Sequence, residues 1–244
     1  MIEVSSDGAT FRGTEVEIEH LHRRLAEAVD SPAPAQLVGT DVDHAERVRA
    51  ELVAAMGAAI SSPVFALGLD VSGPGGLQTH SFVVGRDGIV VRLSPVRDGD
   101  VELSAFPMTL LPGAMTRVVR FLPGRPPAHD ASALGFAPQA VVDLTDPAPD
   151  VRRDAWDGVR PVLEGAGYPG SEDSSWQMVQ SRATWTRTDG RTADEFSVHL
   201  RWESHYFVVV ERATQVDLVP VPSITAWEAM VQVLPGPAEI ARPA

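Results

Sequence analysis

Apolar residues recur along this chain with two periods, and each change of period marks a new element. Val16, Leu21, Leu25 and Val29 keep the spacing of a helix face. Thr14 stands as its cap, with Glu17 three residues on, where a carboxylate can reach back to the cap. The run Ser31-Pro-Ala-Pro-Ala35 stops that helix. A second helix is predicted over 41–60, capped by Thr40 or Asp41 and apolar along Val42, Val48, Leu52, Val53 and Met56. Residues 1–13, polar and glycine-containing, read as a loose arm.

At Phe65 the period falls to two, the alternation of a strand. Strands are predicted over 65–71, 80–84 and 89–93. Ser72-Gly-Pro-Gly-Gly-Leu-Gln-Thr79 forms a glycine-rich loop between the first two, and Asp87-Gly88 a two-residue hairpin turn. A short helix is expected over 101–111. Prolines then crowd residues 122–150 and mark a connector, with one short apolar strand at 140–144. Beyond it the pattern predicts a helix over 151–164, strands over 176–188, 195–202, 205–211 and 214–218, and a helix over 224–233. Residues 236–244 read as a frayed tail.

The two halves also share sequence. Under a shift of 125 residues, His80-x-Phe82-Val83-Val84 falls on His205-x-Phe207-Val208-Val209, and Val91-x-Leu93-x-Pro95-Val96 falls on Val216-x-Leu218-x-Pro220-Val221. Strand propensity accounts for Val and Phe, but not for the histidines or the prolines in order. The expected class is therefore α+β, with two similar halves related by pseudo-twofold symmetry, each an antiparallel sheet with flanking helices. The halves span 14–122 and 151–235, joined by the connector 123–150 and packed as one compact domain, with the tail at 236–244.

Composition removes much chemistry. The 244 residues include no cysteine, and all 20 basic residues are arginine. Thiolate metal sites, disulfides, cysteine nucleophiles, Schiff-base lysines and the phosphate-loop lysine are excluded. A net charge of −13 repels polyanions and argues against nucleic acid and anionic membranes as partners. No apolar run suffices for membrane insertion, and the N-terminus lacks the pattern of a signal peptide, so a cytoplasmic location is expected.

Candidate catalytic chemistry is thin. His20 and His22 lie two apart on a predicted helix and point to different faces. No nucleophile elbow, zinc-protease motif or dinucleotide fingerprint is present. No cofactor, metal or catalytic residue is assigned. One alternative remains: a small-molecule-binding or hydrolytic α+β domain built on the equivalent strand starts His80 and His205, with Glu203. Trp176, Trp185, Trp202, Tyr206 and Trp227 gather in the second half, as core or, on alternate strand positions, as an outward contact surface.

Two segments carry a resemblance: the hairpin 82–96, which leads through Phe106-Pro-Met-Thr-Leu-Leu-Pro-Gly113, and its counterpart, which runs from Tyr206-Phe-Val-Val-Val-Glu211 through Val219-Pro-Val221 to the helix ending at Leu234. They resemble the EspG family of type VII (ESX) secretion-associated chaperones of actinobacteria, over residues 52–236. The resemblance implies a cytosolic chaperone that binds a helical PE–PPE-like substrate heterodimer at the PPE tip, keeps it soluble and directs it to export. It implies a partner-binding loop at Ser72, Gly73, Pro74, Gly75, Gly76, Leu77 and Gln78, with Leu77 as apolar contact. This version is short and glycine-rich, which leaves the PPE identity of the partner open. Whether the chain acts singly or as a homodimer is also left open.

Overall fold

Alternating buried and exposed positions run through the strands and join them into one antiparallel sheet. The computed structural model describes residues 2–5, 9–28, 44–96, 99–129, 131–170 and 175–240, with the backbone alone at 28 and 44–49. In chain order its elements are β1 (Glu3–Val4), β2 (Thr10–Thr14), α1 (Glu15–Ala28), α2 (His44–Ser61), β3 (Phe65–Gly73), β4 (Gly76–Val84), β5 (Ile89–Pro95), β6 (Asp100–Pro107) and α3 (Leu111–Val118). Then follow β7 (Leu134–Phe136), α4 (Pro138–Val142), α5 (Pro149–Gly165), β8 (Trp176–Thr186), β9 (Thr192–Trp202), β10 (His205–Glu211), β11 (Val216–Val221) and α6 (Ser223–Val231). The eleven strands are ordered β1-β2-β6-β5-β4-β3-β8-β9-β10-β11-β7. The class is α+β, as expected.

Each face of the sheet has its own cover. On one face Phe65, Leu67 and Leu69 of β3, Phe82 and Val84 of β4 and Val179, Ala183 and Trp185 of β8 pack beneath α3 and α6 through Leu111, Met115 and Met230. On the opposite face the cover is split in two. Ile18 and Leu25 of α1 and Met56 and Ala59 of α2 seal Val91 and Leu103 near one edge. Trp156, Val159 and Leu163 of α5 seal Met178, Leu200, Trp202, Phe207 and Leu218 toward the other. There Trp156 stacks on Trp176 at 5.1 Å and meets Trp202 edge-on at 5.5 Å. Four of the five aromatics singled out in the second half are buried and Trp227 is partly so; they are core.

The first helix begins as its sequence predicts. The Thr14 N–H donates to Glu17 Oε2 at 3.1 Å, and the Glu17 N–H donates to Thr14 Oγ1 at 3.4 Å. Ile18 is buried beside the predicted Leu25, however, while Val16 is 75% exposed. The caps Thr40 and Asp41, and Val42, lie outside the described residues.

Several elements differ from the expectation. The arm contains a strand pair, since β2 adds to β6 at the sheet edge. The predicted helix over 101–111 is the strand β6: Leu103 and Ala105 alternate with Glu102 and Ser104, and pairing to β5 and β2 overrides the helical spacing. The predicted strand at 140–144 is helical, with Pro138 favouring a first turn. The turn at Asp87-Gly88 is longer than two residues: the Gly85 N–H donates to the Ile89 carbonyl, and only Gly88 takes positive φ (76°). The tail is held as far as Ile240, which bridges Arg187.

Element order repeats between the halves: strand, two helices, four strands, helix. That order pairs β4 with β9 and β5 with β10. The 125-residue match instead lays β4 on β10 and β5 on β11, one strand further along, because Val-rich hairpins align with one another in either register.

Candidate functional site

Among the described residues the split helical cover leaves a strip of sheet bare. Ala66, Gly68 and Asp70 of β3 face the α1–α2 and α4–α5 side, as do Thr79 of β4, Gln180, Arg182 and Thr184 of β8, and Asp194, Phe196 and Val198 of β9. With Glu211 they line an open trough of about 810 Å3 to which no helix of the described residues contributes. Four strands span about 14 Å from first axis to last. A helix with its side chains is about 10–12 Å across. The trough is therefore wide enough for one helix or a helical tip.

Its chemistry is mixed. Phe196 is 61% exposed in the floor, the one exposed aromatic among the described residues of the sheet. An exposed aromatic set among polar groups has the character of a protein-contact anchor. The Arg182 Nε donates to Asp194 Oδ1 at 2.7 Å and its Nη2 to Oδ2, holding the Asp194 carboxyl below its usual range. Gly68 lowers the floor, because a Cβ there would meet nothing nearer than the Arg182 carbonyl at 4.0 Å and would project into the trough. At one end the turn 143–145 closes in: Ser72 Oγ donates to the Leu144 carbonyl, and the Gln180 amide donates to Thr145 Oγ1 at 3.4 Å.

The loop expected at 72–79 is a tight hairpin, with Pro74 and Gly75 at its exposed tip. Ser72 pairs with Leu77, Gly73 with Gly76, and Val71 with Gln78. Ser72 is buried and its hydroxyl is engaged within the chain. Gln78 is exposed, and Leu77 is half-buried on the trough's face. Leu77 also lines a cavity of about 420 Å3 against α1, beside Glu15, Glu19, His22 and Asp100. The two glycines explain the tightness: Gly76 has φ 124°, and a Cβ on Gly73 would lie 2.8 Å from the Trp176 carbonyl.

The histidine site does not assemble. His80 and His205 stand on opposite faces of the sheet with three strands between them, about 19 Å apart across the strands alone. His80 is buried, its Nδ1 is 2.9 Å from Ser94 Oγ, and burial with the nearby Arg92 charge lowers its pKa to about 4. His205 meets the Tyr168 ring at 5.2 Å, and burial lowers its pKa also. Glu203 sits in the β9–β10 turn with φ 53°. They are not equivalent strand starts, since His205 begins β10 whereas His80 lies in the middle of β4, and they form no paired site. Among the described residues no cluster of three His, Asp or Glu could hold a metal ion.

The protein-family models and the curated proteins give no match to this chain. Several solved chains resemble it. The EspG5 type VII secretion chaperone of Mycobacterium tuberculosis, solved in complex with a PE25–PPE41 dimer, aligns over 95% of this chain and 100% of that chain. Identity is 10% and the TM-score 0.48, a likeness too distant to transfer any role. No helix among the described residues is long and apolar enough to cross a membrane.

Sequence reading missed Phe196. It shares a strand face with Leu200 and Trp202, so alternation alone assigns it to the core. The available signal was its acidic neighbourhood, Asp194 and Glu195.

Proposed function

We propose that this protein is a chaperone or adaptor that binds a helical substrate of ESX (type VII) secretion, of the PE–PPE or a related kind, keeps it soluble in the cytoplasm and directs it to export. The observation that carries the reading is the strip of sheet left bare among the described residues between the two helical covers of one face, helix-wide and carrying the exposed Phe196 on β9. The resemblance of residues 82–113 and 206–234 to the EspG family supplies the partner class. Pro74, Gly75, Leu77 and Gln78 form the approach at one end of the strip, whereas Gly73, Gly76 and Ser72 shape the hairpin that presents them. The halves are proposed to be copies related by pseudo-twofold symmetry, a reading supported by their repeated element order.

Co-expression with an ESX substrate pair, followed by size exclusion with light scattering, tests this reading. One peak containing all chains is expected, and Phe196→Asp separates it into its components while leaving the circular dichroism unchanged. Separate migration of the unmodified protein overturns the reading.

A further inference from the structure

At the hairpin end of β3 and β4, on the side of the sheet that carries α3, lies a second cavity of about 290 Å3. Val71 and Val118 give it apolar walls, and among the described residues its only charged lining is Arg120 and Arg201. No Asp or Glu of the described residues lines it, in a chain of net charge −13. Eight other arginines, from Arg12 to Arg212, hold a carboxylate within 4.0 Å, whereas among the described residues neither Arg120 nor Arg201 does.

The arginines are also arranged. Arg120 takes φ 47° just after α3, a conformation uncommon for a residue with a Cβ. Its carbonyl accepts a hydrogen bond from Arg201 Nη1 at 3.0 Å, which fixes that guanidinium. The Arg201 Nε is buried with no partner. A guanidinium fork with an unused buried donor matches a group that offers two oxygens in a plane or on a tetrahedron.

We propose that this cavity binds the oxyanion of a small molecule, a carboxylate or phosphate, held by Arg201 and Arg120. The site is distinct from the trough, although Pro74, Gly75 and Gln78 of the hairpin also border the cavity. Its volume lies at the lower edge of ligand pockets, roughly 300 Å3 and above, which favours a small mono- or dianion.

Amide NMR titration of the full chain with inorganic phosphate and, separately, with succinate tests the site, at constant ionic strength with chloride as control. Saturable shifts are expected at Gly73, Gly76, Trp176 and Gln177 with at least one anion and none with chloride; which anion acts distinguishes phosphate from carboxylate. Arg201→Gln weakens binding by about tenfold or more. Arg120→Gln, at an exposed side chain, serves the same purpose should the first variant fail to fold. Absence of saturable shifts with both anions, or unchanged affinity in the folded variants, overturns the proposal. So does binding that is seen only after Glu172→Gln with Asp173→Asn, a pair lying outside the described residues, since the chain's own carboxylates would then compete for the arginines.

Discussion

His199 shows how a single buried residue sets the response of the fold to acid. Its ring lies among Phe121 and Tyr206 on the α3–α6 face, 1% exposed, with Nδ1 unpartnered. Burial, helped by the Arg201 charge, lowers its pKa to about 4 from 6.5. Between those values the unfolded chain takes up a proton that the folded chain refuses, so stability falls as pH drops from about 6.5 towards 4. His80 acts in the same direction. Thermal melts at stepped pH should show that fall, and His199→Phe should flatten it; an equal slope in the variant would contradict the assignment. Close by, a Cβ on Gly124 would lie 2.5 Å from the Ser204 carbonyl and 2.7 Å from the Tyr206 ring. Gly124→Ala should therefore cost about 1–3 kcal/mol in urea unfolding. Neither residue announces itself in the sequence, because each owes its role to a segment some eighty residues away that the Tyr206 hydroxyl ties down through Leu122.

Elements were legible where local rules and tertiary packing agree. The reciprocal Thr14–Glu17 cap follows from spacing alone, and Thr14→Ala should cost about 1 kcal/mol, read as a lower denaturation midpoint. The strands of the second half lie close to their predicted bounds, since one buried face imposes a period of two on β8 to β11 and their pairing agrees with it. Residues 101–111 were misread because Val101, Leu103 and Ala105 fit a helix and a strand almost equally until β5 and β2 supply partners. Residues 140–144 failed in the opposite sense: Val141 and Leu144 bury one side of a short helical turn, which a strand of that length would also do. The hairpin at 72–79 was located correctly but read as a loop, since its glycines permit a tight reversal as readily as a long one.

At the scale of the whole molecule the informative feature is an absence of cover among the described residues. Helices α3 and α6 close the centre of one face, whereas α1–α2 and α4–α5 stand apart on the other and leave polar positions of β3, β4, β8 and β9 open beside Phe196. No local pattern discloses this, because a strand does not specify which helix covers it. The proposed chaperone role depends on that strip more than on any single motif. Its most direct test is the co-elution of the unmodified protein and its Phe196→Asp variant with an ESX substrate pair, measured by light scattering. The account predicts one complex whose mass equals the sum of its chains, lost in the variant; a complex that survives Phe196→Asp, or none with the unmodified protein, would contradict it.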